Sequence, residues 1–138
     1  MTAGARGAVL ALLVVAAVGS AQKPVPETVM VTFRAKAGAE TELAAVIARH
    51  WTTGSALGLF ESSPHLTLRG SDPDRKTYFV EVFTWRDAGI PDHAPPAIQA
   101  IWGDMNRLTE TRGGKPGLEF AEVSVVPAVE LPGVRGPE

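Results

Sequence analysis

The chain has no cysteine. That excludes thiolate nucleophiles, thiolate metal sites and disulfide staples together, so the fold must be held by packing alone. It has no basic excess either, with 13 Lys and Arg against 15 Asp and Glu and a formal net charge of −2. A nucleic-acid partner is therefore not expected, because phosphate binding needs a basic face. The longest apolar run, residues 8–18, falls well short of the roughly 20 residues a helix needs to span a bilayer. No glycine-rich loop precedes a helix, since Gly113-Gly114 follows one, which removes the usual phosphate cradle. Ser62-Ser63 has no neighbouring His or acid pattern that would activate a hydroxyl. His50, His65 and His93 fall in three separate elements without ligand spacing, so neither a metal nor a cofactor is expected.

What the sequence has is enough apolar residues for one core. Its 138 residues are 45% hydrophobic and 20% charged, the balance of a single globular domain. The first 21 residues look like a cleaved signal peptide: Arg6, the apolar run 8–18, then Gly19-Ser20-Ala21 ahead of a cleavage point before Gln22. With no cysteine for lipidation and no arginine pair, the expected route is general secretion, to a periplasmic or extracellular address, with no stable membrane anchor after cleavage. Residues 22–27 form a leader, 28–126 the domain, and the proline- and glycine-containing stretch 127–138 a mobile tail.

Within the domain the periodicity changes in a regular order. Residues 28–36 alternate, with Val29, Val31, Phe33 and Ala35 on one side. Leu43, Val46, Ile47, His50 and Trp51 make a helical stripe, closed by Gly54 and Gly58. Residues 65–70 form a short strand, and the Asp-Pro-Asp turn within 71–76 returns the chain as a hairpin. Residues 77–85 carry apolar side chains on both faces, the mark of a central strand. After the loop 86–95, Pro96 opens a second helix on the stripe Ile98, Ile101, Trp102, Met105, Leu108, ended by Arg112-Gly113-Gly114. Residues 118–126 are the last strand.

Strand, helix, strand, strand, helix, strand is the α+β, ferredoxin-like βαββαβ arrangement: a four-stranded antiparallel sheet with two helices on one face. Helices covering one face leave the other bare, and two such sheets facing one another in a homodimer, a dimeric α/β barrel, would bury it.

The chemistry-bearing residues concentrate between residues 78 and 105. Glu81, flanked by Phe79, Phe83 and Trp85, is a carboxylate among aromatics that could take a phenolic proton, or could be a structural partner of Arg34 or a residue of the sheet rim or dimer seam. His93, ahead of the second helix, could act as a base or cap the segment facing water. These two are the candidate catalytic residues. Trp85, Trp102, His50, Arg34 and Phe60 are the candidate contacts to a bound molecule. His50 also fits a core position, and the tryptophans fit core stripes.

The run E-V-F-x-W at 81–85, then D-H at 92–93 and P-x-I-Q-A-I-W at 96–102, resembles the antibiotic biosynthesis monooxygenase family. The resemblance covers residues 29–126. It implies a homodimeric α+β barrel with a pocket between sheet and helices, and activities such as cofactor-independent oxidation of quinols and polyphenols. Glu81, Trp85 and His93 stand near the family pattern, although three residues rather than one separate Glu81 from Trp85. The heme-degrading branch uses an Asn late in the first strand and a helical His with a Trp. This sequence has no Asn there and no His near Gly103, which disfavours that activity.

Three functions remain for such a chain: a cofactor-independent oxygenase of small aromatic or quinol-type molecules, an exported binding module without chemistry, and a structural domain. Oxygen uptake separates the first from the second. Ligand-induced stabilisation separates the second from the third.

Overall fold

The computed structural model describes residues 23–127 and Gly133. The expected signal peptide and most of the expected tail lie outside the described residues. Strand β1 (Glu27–Arg34) is followed by helix α1 (Glu40–Ala56), strands β2 (Leu66–Ser71) and β3 (Thr77–Trp85), a 3-10 turn (Ile90–His93), helix α2 (Pro96–Leu108) and strand β4 (Leu118–Glu122). The sheet order is β2-β3-β1-β4 with every pairing antiparallel, so the first and third strands are central. This is the ferredoxin-like α+β fold read from the sequence.

The register sets what shares a face. Val31 lies opposite Glu81 on one side and Phe120 on the other, and Thr67 lies opposite Glu81 from β2. These residues, with Val29, Phe33, Phe79, Phe83 and Trp85, face the helices. Leu43, Val46 and Ile47 of α1 and Ile98, Ile101, Met105 and Leu108 of α2 close the core over them. The opposite face carries Met30, Val80 and Val82 at partial exposure, and Leu66 and Leu68 at 50% exposure.

The outer strand ends fall short of expectation, β1 stopping at Arg34 rather than 36 and β4 at Glu122 rather than 126, and two helix ends differ for tertiary reasons. Helix α1 does not stop at Gly54 but continues to Ala56. Gly54 is buried there because the Phe60 ring lies against its Cα, where any Cβ would overlap it. The stop comes at Leu57 and Gly58, whose φ of 70° needs glycine. Gly54→Ala is therefore expected to destabilise the domain by roughly 2 kcal/mol despite its better helix propensity, because overpacking against an aromatic outweighs propensity. Urea unfolding checks it, and a gain in stability refutes the packing account.

Helix α2 ends at Leu108, four residues before Arg112. Thr109 turns extended, bridges Ala35, and its hydroxyl donates to the Met105 carbonyl at 2.8 Å. Arg112 is consequently not a helix-end cation. It lies under the β2–β3 hairpin, joining that turn to the end of β1. In the turn itself Asp72 Oδ1 accepts from the backbone N–H groups of Asp74 at 3.1 Å and Lys76 at 3.0 Å, and Arg75 takes a φ of 62°.

Candidate functional site

The site is built from the helix-facing side of β1 and β4 and the inward edge of α2. A cleft of about 610 Å³ opens between α2, β1 and the edge strand β4. Val29, Val31, Phe33, Leu118 and Phe120 form its floor, and Trp102, Met105 and Asn106 its α2 wall. Phe83, Trp85, Pro91 and His50 close its inner end. The volume fits a small aromatic molecule, and the lining is mostly apolar, as in binding sites generally. Glu27, opposite Trp85 in the sheet, and Glu122 also line it, and Phe120 is 67% exposed.

His50 is the polar group at the inner wall. Helical spacing from Leu43 and Val46 turns it inward from α1, where it is 3% exposed. Aromatic rings surround it: Phe60 at 5.3 Å, Phe83 at 5.4 Å and Trp85 at 6.1 Å between centroids. Its Nε2 accepts from the Trp102 indole N–H at 3.2 Å. Its Nδ1 faces Glu81 Oε1 at 3.4 Å. An indole nitrogen can only donate, so Nε2 carries the lone pair and the neutral ring's proton sits on Nδ1, directed at the carboxylate.

Glu81 itself is 0% exposed and does not line the cleft; it stands behind His50. Its Oε2 has no hydrogen-bond partner among the described residues. Besides His50, a second imidazole stands close to the carboxylate: His65 Nε2 is 3.9 Å from Oε2. His65 in turn lies flat on Trp51, with ring centroids 3.6 Å apart and planes 2° from parallel.

The structure therefore gathers His50, Trp85 and Trp102 at the cleft and leaves other expected residues elsewhere. His93 is exposed at the end of the 3-10 turn and is not in the cleft lining, because the turn points its side chain to the surface. Arg34 cannot pair with Glu81, since the register puts it opposite Tyr78 on the other sheet face. It donates instead to Glu119 and to the Pro116 carbonyl, both at 2.7 Å. Phe60 packs behind Trp85 at 4.9 Å and stays out of the lining. Sequence reasoning does not single out Phe120, Asn106 or His65. Alternation along β4 signals Phe120, whereas no local pattern brings His65 beside Glu81.

Among the described residues, no group of three or more His, Asp or Glu side chains is arranged to hold a metal ion.

No protein-family model matches the chain, and no curated protein matches it. Solved structures do. A single-residue mutant of SnoaB, a cofactor-independent oxygenase from Streptomyces nogalater, superposes with a TM-score of 0.55 at 19% identity, covering 77% of this chain and 98% of its own. Rv0793 from Mycobacterium tuberculosis gives a TM-score of 0.53 at 14% identity, over 75% of this chain and 97% of its own. A dimeric ferredoxin-like protein of unknown function from Jannaschia sp. gives 0.51 at 17%, over 73% and 100%. The chain is thus similar to these proteins in fold across the whole of its domain.

Proposed function

We propose that the protein binds a small aromatic or quinol-type molecule in the cleft and oxidises it with dioxygen without a bound cofactor, as an exported monooxygenase-like protein. The observation that carries this reading is the cleft itself: an apolar slot of about 610 Å³ walled by Trp85, Trp102 and Phe120, with one buried imidazole at its inner end. Flat rings gain most from such walls, and a single placed polar group suits a hydroxyl. The fold shared with a cofactor-independent oxygenase supports it. An oxygen electrode with a panel of benzo- and naphthohydroquinones tests it. At least one should be consumed with oxygen uptake, Trp102→Ala should lower that rate at least tenfold, and His93→Ala should leave it unchanged. No uptake with any quinol overturns the enzyme reading.

A second reading, a non-catalytic small-molecule binding domain, is favoured by the position of Glu81 and His93 away from the cleft. It predicts that the same quinols raise the melting temperature while oxygen is not consumed.

Export rests on Arg6, the apolar run 8–18 and Gly19-Ser20-Ala21. Sequencing the amino terminus of protein recovered from the periplasm or medium should find Gln22 first, and an intact Met1 there would refute cleavage. A homodimer would bury the open sheet face, where Leu66 and Leu68 are each 50% exposed beside Val80 and Val82. Light scattering should give twice the chain mass, and Leu68→Asp should halve it.

A further inference from the structure

The polar line that starts at the cleft continues into the core. From the cleft wall it runs Trp102 N–H to His50 Nε2 at 3.2 Å, then His50 Nδ1 to Glu81 Oε1 at 3.4 Å. Beyond the carboxylate stands His65, 3.9 Å from Oε2, with a side chain 27% exposed. A wholly buried carboxylate with one long hydrogen bond and one unpartnered oxygen is costly to keep. Core packing alone does not call for it, since Phe79, Phe83 and Val31 around it show that an apolar residue would fit the site's surroundings. An imidazole with a carboxylate on one nitrogen and a cleft-side lone pair on the other is the arrangement that prepares a general base.

We propose that His50 is the proton-accepting residue of the cleft, that Glu81 is its positioning partner, and that the Trp102 indole N–H occupies the place a ligand hydroxyl takes. The inference rests on reading the cleft as an aromatic site, and goes further by fixing where the proton moves. As the hydroxyl of a phenol or quinol displaces the indole, its O–H bond breaks. The proton passes to Nε2 and the electron pair stays on oxygen. His50 becomes an imidazolium whose Nδ1–H faces the Glu81 carboxylate, and no electron is transferred in the step. The displaced indole N–H is then free to donate to the new phenolate oxygen. Glu81 holds the ring in the tautomer that leaves Nε2 able to accept, and compensates the charge that appears on it. His65 faces the other carboxylate oxygen from the solvent side, so the carboxylate is flanked by imidazoles at both ends.

Two probes test the proposal on the unaltered protein: 4-nitrophenol, whose phenolate has its own visible absorbance, and 4-nitroanisole, which has no proton to lose. At a pH where free 4-nitrophenol is half ionised, the bound probe should be phenolate over phenol by roughly tenfold, one unit of differential stabilisation. The chain has 3 histidines, so nitrogen-NMR of the rings can be assigned. His50 should show an Nδ1–H tautomer in the free protein, an imidazolium with 4-nitrophenol bound, and no change of charge with 4-nitroanisole. Glu81→Gln should keep 4-nitroanisole affinity and lose the phenolate preference. If both probes bind but 4-nitrophenol stays neutral, or His50 does not gain the proton, the base assignment is overturned while the aromatic site stands. If 4-nitroanisole does not bind, the reading of the cleft fails, and this assignment with it.

Discussion

Arg112→Ala should remove about 3 kcal/mol from the stability of the domain, the usual cost of taking one partner from a buried charged network. The guanidinium side chain is 9% exposed and ties three separate parts of the chain. Nη1 donates to Asp72 Oδ2 at 2.9 Å and to the Thr77 carbonyl at 3.2 Å, which fixes both arms of the β2–β3 turn. Nη2 donates to the Ala35 carbonyl at 2.6 Å, where β1 ends, and to Glu110 Oε1 at 3.5 Å. Removing the side chain takes the guanidinium donor from the Ala35 carbonyl and from Asp72 Oδ2, and leaves the Thr77 carbonyl with the Ala35 N–H alone. Thermal unfolding should shift down on the order of 10 °C for a domain of this size. Arg112→Lys should not rescue it, because a single ammonium cannot reach the hairpin and β1 together. A lysine variant of wild-type stability would refute the fork geometry.

The same contact gives the fold an acid dependence of known sign. Burial pushes the Asp72 carboxyl up, but the Arg112 hydrogen bond and the backbone N–H groups of Lys76 and Asp74 outweigh it, and the group lies below the ordinary carboxylate range. Because the folded value is lowered, the folded state releases this proton more readily than the unfolded chain. Asp72 thus contributes stability above about pH 4, and the contribution is lost as pH falls through its folded value. Urea midpoints measured from neutral pH downward should fall in wild type. In Arg112→Ala the part due to Asp72 should flatten, and an unchanged slope would contradict it.

Arg112 also marks the limit of what sequence can tell. Beside Gly113-Gly114 it reads as a helix end, because helix caps are local patterns. The chain instead leaves the helix at Leu108, because Thr109 finds Ala35 across the molecule. The strands and helical stripes were legible because alternation and 3.6-residue periodicity are written in the segment itself. So was the central position of β3, whose two apolar faces need cover on both sides. Gly54 misleads for the same reason as Arg112: its deciding contact, Phe60, lies outside the helix and leaves no mark on the helix's own pattern. At the site, His50, Trp85 and Trp102 converge, whereas pairing Arg34 with Glu81 required a register the sequence does not contain. Because residues 77–85 are apolar on both faces, their own pattern does not say which face they share with Val31 and which with Arg34, and the observed register gives position 81 Val31.

Breaking and replacing the His50–Glu81 pair should have opposite consequences. His50→Phe leaves a fully buried carboxylate whose one hydrogen bond is gone and whose Oε2 has no partner among the described residues. Losing that hydrogen bond to a buried carboxylate costs about 2–3 kcal/mol, a large share of a small domain's stability. Glu81→Leu removes the charge itself and should cost only about 1 kcal/mol, since His50 keeps the Trp102 indole as a partner and loses one long bond. The double variant should recover most of what His50→Phe loses, because Leu and Phe fill an already aromatic neighbourhood of Phe60, Phe83 and Trp85. Urea unfolding of the four proteins closes the cycle, and the pair should show a coupling of a few kcal/mol in that direction. A double variant less stable than His50→Phe would mean that the carboxylate is a structural asset with another partner, His65 being the nearest. With the expected order, the core would be shown to carry a buried carboxylate–imidazole pair that stability alone does not require. That is the trade expected where a buried imidazole must keep one tautomer toward a cleft.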